Sequence, residues 1–457
     1  MRVIRRIAKA AVLHSLCPEV MGTRLNTERI GESLLHKILS ALKQNNISVY
    51  LINEVKKETV ELFFIKKHLD MRRLKDICQY SVTVYHDFDK DGVLMRGSST
   101  VGIQPGMSIE EVETTLKKAY FAASFVCNPF YELQEGQEEA TVRMKSSLSG
   151  GSLAENAAKM TEALFLEDTD TDTFLNSTEL FVEKTLCRIL NSGGINVSYE
   201  KHSVKGEFVA QCVTPQDVET YQSFSYDELD TGALQSKVKE TLRMTRARAQ
   251  AKSAPAAGEY TVLLSGRYVS DIFEYYLDRS SAGMIYPKYS NYQVGSQVQG
   301  DDVTGEQLTV TLKAKEPYSS EGIPMTDRVL LKDGILQTIH GGSRYSYYLG
   351  TEPTGNYNSL YVPGGSKTFS ELKTGKYLHV VNFSDFQMDT FSGHFGGEIR
   401  LAFLCDGNTV IPVTGGSING SLLEAQKNLV LSKDMQIEKG FEGPYAIKFE
   451  KISVAGV

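Results

Sequence analysis

Clustered cysteine is the first thing this chain lacks. Its six cysteines (Cys17, Cys78, Cys127, Cys187, Cys212 and Cys405) lie far apart, with no Cys-x-x-Cys pair and no His/Cys spacing of a metal site. That argues against a disulfide framework and against a zinc ribbon, and predicts free, mostly buried thiols in a reducing cytoplasm. Basic charge is also short. A formal net charge of -7 argues against a duplex-binding surface, because neutralising phosphates requires clustered Lys and Arg. The one basic cluster, Arg243, Arg246, Arg248 and Lys252, has no interleaved aromatics and reads as a solvated helix end. Long apolar runs are missing as well: no segment approaches the ~20 residues that a membrane helix needs. Met1–Leu13 begins like a signal peptide, but Lys9 and His14 interrupt the apolar stretch and no small-x-small site follows, so none is expected.

What is present is a globular balance of 41% hydrophobic and 23% charged residues over 457 positions, too long for one ordinary core. Leu34, Ile38 and Leu42 recur every fourth residue within Thr27–Lys43 and predict a helix ended by Asn45-Asn46. Strands are expected over Ile47–Ile52, Glu58–Ile65, Tyr80–His86 and Val93–Arg96. Between the last two, Asp87-Phe-Asp-Lys-Asp-Gly92 copies the opening of a calcium loop, but Ser98 stands where the bidentate Glu belongs, so a hairpin turn on Asp91-Gly92 is the better reading. Ser108-Ile-Glu-Glu111 is a capping box that starts a helix to about Phe125. Gln134–Ser152 is expected to be a mobile connection, Leu153–Phe165 a helix, and Glu167–Asp172 a solvated acidic loop ahead of a cap at Asn176–Glu179. From there Val182, Leu186 and Leu190 repeat the spacing of the first helix, which suggests a duplicated helix-and-sheet unit. A strand over Glu207–Val213 and a helix over Leu234–Arg248 complete it, and Ser253–Gly258 reads as a boundary.

Beyond that boundary short β-branched and aromatic runs alternate with turn signals. Leu308–Lys313 alternates as a strand; Glu321-Gly-Ile-Pro324 breaks the chain; Arg328–Lys332, Asp333-Gly334 and Ile335–Ile339 form a hairpin signal; Glu398–Leu404, Asp406-Gly407 and Thr409–Val413 form another. Pro363-Gly-Gly-Ser-Lys367 lacks phosphate-loop spacing, and Gly416-Ser417 lacks a nucleophile elbow. The expected fold is α+β: two small helix-and-sheet units (1–105 and 106–252) followed by a large, mostly antiparallel β-rich C-terminal domain (253–457).

The order of Tyr260–Leu264 and its following helix, Ser290, Val294-Gly295, Leu308–Lys313, Glu321–Pro324, Asp333–Leu336, Tyr348-Leu-Gly350, Thr354-Gly-Asn356, Asp389-Thr-Phe-Ser-Gly393 and Asp406-Gly407 resembles the C-terminal domain of the TldD/PmbA family. The resemblance implies peptide maturation or degradation by a pair of sister subunits, one of which holds zinc through a His-Glu-x-x-x-His helix and a C-terminal cysteine. Here the helix Tyr268–Asp278 has no histidine and the tail Lys439–Phe449 no cysteine, so the chain resembles the PmbA-like sister without the zinc motif. No catalytic or metal-binding residue, and no bound cofactor, is then expected in this chain; zinc is expected in a TldD-like catalytic partner. The resemblance implies a heterodimer with that partner, or a homodimer when the chain is alone, with peptide substrates, no direct nucleic acid and no membrane.

Six residues are candidates for a peptide groove or a partner-facing surface: Asp271, Glu274, His340, Asn356, Asp389 and His394. Asp271 and Glu274 sit three apart and share a helix face, although an amphipathic helix burying Val269, Ile272, Phe273, Tyr276 and Leu277 is the commoner explanation. His340, Asn356 and Asp389 follow from the resemblance, and His394 comes from a group of polar residues close in sequence. His379, Asp385, Asp389 and His394 would gather round a metal only if two strands met. Two rival readings stay open: a self-sufficient peptidase with an altered metal site built from residues such as His340, His379 and His394, and a binding modulator of DNA gyrase, after an older name of the family.

Overall fold

The structure is a computed structural model that describes residues 34–136, 139–438 and 440–456. The signal-peptide reading of Met1–Leu13 and the first turns of the Thr27–Lys43 helix lie outside the described residues. Helix α1 (34–44) buries Leu34, Ile38 and Leu42, and the chain turns at Asn46, whose φ is 53°. β1 (Tyr50–Ile65) runs unbroken where two strands were expected. It is followed by β2 (His68–Lys90), β3 (Val93–Ile103) and α2 (Ile109–Ala123), which Ser108 and Glu111 cap reciprocally as the sequence predicts. The β2–β3 turn uses Asp91 and Gly92, both at positive φ.

β4 (Glu139–Arg143) pairs in parallel with β6, so the expected mobile connection is in fact part of a sheet, with Thr141 and Ser198 hydroxyls 2.9 Å apart across the pair. α3 (Leu153–Leu166) precedes β5 (Thr173–Asn191), β6 (Asn196–Cys212) and β7 (Val218–Tyr226), and α4 (Thr231–Gln250) closes the second half. Here the sequence reading is corrected. Asn176–Glu179 is no helix cap, and Val182, Leu186 and Leu190 lie on strand β5. A spacing of four is even, so it satisfies the two-residue repeat of a strand as readily as the 3.6 of a helix. A duplication of element order does exist, helix, three strands, helix in each half, but its second helix is α3.

The two halves share one sheet, because β1 pairs antiparallel with β5 from Leu51↔Asn191 to Ile65↔Ser177. Even-numbered β1 residues face the helices: Ile52 joins the core under α1 and α2, while Val60, Leu62 and Phe64 join that under α3 and α4. The opposite face carries Leu51, Ile189, Ile195 and Val197, which pack toward Tyr318 and Tyr348 of the C-terminal domain.

That domain opens with β8 (Gly258–Ser265), α5 (Arg267–Arg279) and α6 (Ala282–Ile285), then β9 (Val310–Leu312), β10 (Arg328–Lys332), β11 (Ile335–Leu336), α7 (Ser343–Leu349), β12 (Leu360–Tyr361) and α8 (Phe369–Leu372). β13 (Tyr377–Phe383), β14 (Gln387–Met388), β15 (His394–Cys405), β16 (Val410–Val413), β17 (Ser417–Ser421), α9 (Leu422–Ala425), β18 (Val430–Leu431), β19 (Met435–Glu438), β20 (Phe441–Pro444) and β21 (Ala446–Ala455) complete it. β13, β8, β21, β17 and β15 pair in sequence, and β15 returns to β13, so this sheet closes on itself. A second, six-stranded sheet runs β11-β10-β9-β12-β20-β19. α5 belongs to one core with both sheets through Val269, Ile272, Phe273 and Tyr276. Among the described residues no helix is long and apolar enough to cross a membrane. The fold is α+β, with a large and mostly antiparallel C-terminal part.

Candidate functional site: a cleft between the two sheet systems

A cleft of about 840 Å³ lies where the second half of the N-terminal sheet meets the C-terminal domain. One wall is β7 and the outer turns of α4; the other is the β8–α5 junction at Ser265–Tyr268 together with the β19–β20 hairpin. Among the described residues β7 pairs only with β6 and β19 only with β20, so each strand has one edge without a strand partner, and residues of both line the cleft. Unpaired edges of this kind accept an extended chain by backbone pairing.

Lys237 of α4 ties the walls together by pairing with Glu438 of β19. Glu438 is 5% exposed, and its second oxygen, Oε1, has no hydrogen-bond partner among the described residues. Tyr226, 8% exposed at the end of β7, likewise has a hydroxyl without a partner among the described residues. Burial, then the nearby Glu438 and Asp230 carboxylates, push that phenol's pKa upward, so it stays protonated. Lys315 pairs with Asp227 at 2.8 Å, and Lys201 with Glu316 at 2.6 Å, again from one domain to the other.

The cleft residue Ser265 is in contact with an imidazole, its Oγ lying 2.8 Å from His379 Nε2. Burial, with Lys373 and Arg243 adding repulsion, lowers the His379 pKa to about 3. A ring that hard to protonate is a poor general base, so the contact reads as a satisfied buried histidine.

None of the six sequence candidates lines this cleft. His340 is 3% exposed: Nε2–H donates to the Leu277 carbonyl at 2.9 Å and Nδ1 accepts from Tyr357 N, so the ring clamps the end of α5. Burial keeps it neutral. Asp271 is half-buried and Glu274 exposed on α5, whose buried residues include the five expected from the sequence. Asn356 is exposed beside Gly355. Asp389 accepts from Phe391 N at 2.9 Å and from the Ser392 hydroxyl, closing the turn that leads to the exposed His394. Hydrogen bonds from Ser392 and then Phe391 hold its carboxyl below the usual range. His379, Asp385, Asp389 and His394 do not converge. His379 faces Ser265 on the strand paired with β8, whereas Asp389 and His394 flank a turn. Among the described residues no three His, Cys, Asp or Glu are placed to hold a metal ion. The calcium-like run is likewise committed elsewhere, since Asp87 takes both Arg96 Nε and Nη2, at 2.7 and 2.6 Å.

Zinc, which the resemblance implies for the family, does not fit this donor set: the β8–α5 junction offers Ser265, Gly266, Arg267 and Ser270, and the nearest imidazoles are engaged as described. The residues that do line the cleft, Tyr226, Lys237 and Glu438 above all, carry no motif. Only folding brings residues from β7, α4 and β19 together, and the strand-to-helix step at Ser265 was the sole local signal.

The cleft thus combines residues of two strands that each have one unpaired edge with a strand-to-helix junction. Sequence comparison matches residues 257–456 to the PmbA/TldA metallopeptidase C-terminal domain. The C-terminal part of the chain is thus similar to that of the TldD/PmbA family, which is metallopeptidase-related. The chain is similar to a metalloprotease of Methanothermobacter thermautotrophicus, 27% identical over 170 residues that cover 33% of this chain and 37% of that one. It is also similar to Metalloprotease PmbA of Escherichia coli O157:H7, at 24% over 178 residues, 37% of this chain and 40% of that one. The matched stretches thus span well under half of these relatives. TldE from Thermococcus kodakarensis shares the fold with a TM-score of 0.71 at 16% identity, covering 92% of this chain and 100% of that chain. A proposed modulator of a DNA gyrase from Thermotoga maritima does so at 0.72 and 17%, covering 93% and 100%.

Proposed function

We propose that this chain is the non-catalytic, PmbA-like subunit of a TldD/PmbA-type metallopeptidase, working in the cytoplasm on peptide maturation and proteolysis. A zinc-bearing, TldD-like sister supplies the hydrolytic centre, and this chain contributes a surface that receives extended peptide. The carrying observation is the chemistry of the β8–α5 junction. It opens onto the large cleft, and the helix that leaves it, α5, has no histidine, whereas the resemblance implies metal-binding imidazoles on that helix in the catalytic sister. The unpaired edges of β7 and β19 support peptide capture with little dependence on sequence.

The test is metal analysis and peptide cleavage with the purified chain alone and mixed with a TldD-like sister. Cleavage only in the mixture, with zinc carried by the sister, is expected. Stoichiometric zinc together with turnover by the isolated chain would defeat the proposal in favour of a self-sufficient peptidase. The description of the Thermotoga neighbour keeps one further reading in view, a binding modulator of DNA gyrase. Co-purification with gyrase subunits and no affinity for the peptidase sister would favour it.

A further inference from the structure

The cleft is acidic. Its lining holds seven carboxylates (Asp227, Glu228, Asp230, Glu240, Glu316, Glu438 and Glu442) against three cations (Lys237, Arg267 and Lys315). Two of those cations are already paired, Lys237 with Glu438 and Lys315 with Asp227. Acidity alone does not make a site. Here a second feature coincides with it: Glu438 and Tyr226 line the same cleft and are more than nine-tenths buried, and Glu438 Oε1 and the Tyr226 hydroxyl lack hydrogen-bond partners among the described residues. Buried polar atoms left unsatisfied are uncommon, because each forfeits its hydration without replacement. A carboxylate oxygen accepts only, and a protonated phenol has lone pairs free to accept. One group able to donate several hydrogen bonds, and carrying positive charge, satisfies both.

We propose that this end of the cleft is a subsite for the lysine or arginine side chain of an extended peptide, received between Tyr226 and Glu438. The inference rests on the reading of the cleft as a peptide receptor and adds to it a preference for cationic segments. The β7 and β19 edges hold the backbone, while the carboxylates select the side chain. Anionic peptides meet a like-charged wall.

The test uses the full chain and fluorescein-labelled, unstructured Gly-Ser peptides that carry lysine, glutamine or glutamate at the same positions, with binding read by anisotropy at low and high salt. The lysine peptide is expected to bind about tenfold tighter than the glutamine peptide, the order expected for a partly desolvated charge pair. The glutamate peptide binds weakest, and high salt narrows the differences. Tyr226→Phe removes only the hydroxyl and Glu438→Gln only the charge, and each should cut the lysine-to-glutamine ratio severalfold. Glu438→Gln leaves Lys237 without its partner, so circular dichroism accompanies it, and Tyr226→Phe carries the test if that variant unfolds. Equal binding of lysine and glutamine peptides, or a lysine preference that survives in the folded variants, overturns the proposal. If no peptide binds, ethylammonium separates the two ideas. Stabilisation of the wild type but not of Tyr226→Phe keeps the cation subsite and sinks the peptide receptor; no effect on either sinks both.

Discussion

Tyr276 is fully enclosed on α5, and its hydroxyl donates to Gln426 Oε1 at 2.8 Å. Removing it leaves that buried amide oxygen unpaired, so Tyr276→Phe should lower unfolding stability by about 1–3 kcal/mol in urea titration. His379 makes a prediction about acid. Its folded-state pKa of about 3 lies below the ordinary 6.5, so the unfolded chain binds the proton first, and stability drains away as pH falls from 6.5 toward 3. His379→Gln should lose about 3 kcal/mol less than the wild type between pH 7 and pH 4, measured by denaturant unfolding at both values. Equal losses would show that the imidazole is not the group responsible. The candidate site was poorly legible at this scale. His340 and Asp389 were picked out because they lie in motifs, and both turn out to hold backbone in place. Tyr226 and Glu438 sit in unremarkable strand sequence, and their missing partners become visible only once their surroundings are known.

At the scale of elements, turn chemistry was the most legible signal. Asp333 and Gly334 both adopt positive φ, at 52° and 76°, as the two-residue hairpin between β10 and β11 requires. A Cβ on Gly334 would sit 2.7 Å from Gln299 Oε1, which accepts from Leu308 N at 2.7 Å. Gly334→Ala therefore both strains the turn and disturbs a buried amide, and should reduce stability by about 1–3 kcal/mol in thermal or urea unfolding. The reciprocal cap at Ser108 and Glu111 was equally readable, whereas the cap expected at Asn176–Glu179 lies on a strand. Period was not. β5 carries Val182, Leu186 and Leu190 at a spacing that both helix and strand accept, and its identity as a strand comes from the long antiparallel pairings with β1 and β6.

For the whole molecule, Gly322 marks where the C-terminal domain meets the N-terminal sheet. Its φ is 81°, and a Cβ there would come within 2.7 Å of Ile195 Cγ2. Gly322→Ala should cost about 1–3 kcal/mol, and Ile195→Ala in the same background should recover part of it by opening space. Strict additivity of the two changes would show that the contact is not tight. The sequence alone settled the α+β class, the hairpin turns, the Ser108 cap, the resemblance of the C-terminal part and the absence of imidazole from α5, because each is written in local spacing or composition. It did not settle the joining of two helix-and-sheet halves into one sheet, nor the cleft whose walls come from β7, α4, α5 and β19. Those depend on strand edges and buried charges separated by tens to hundreds of residues, and only tertiary packing determines which of them meet.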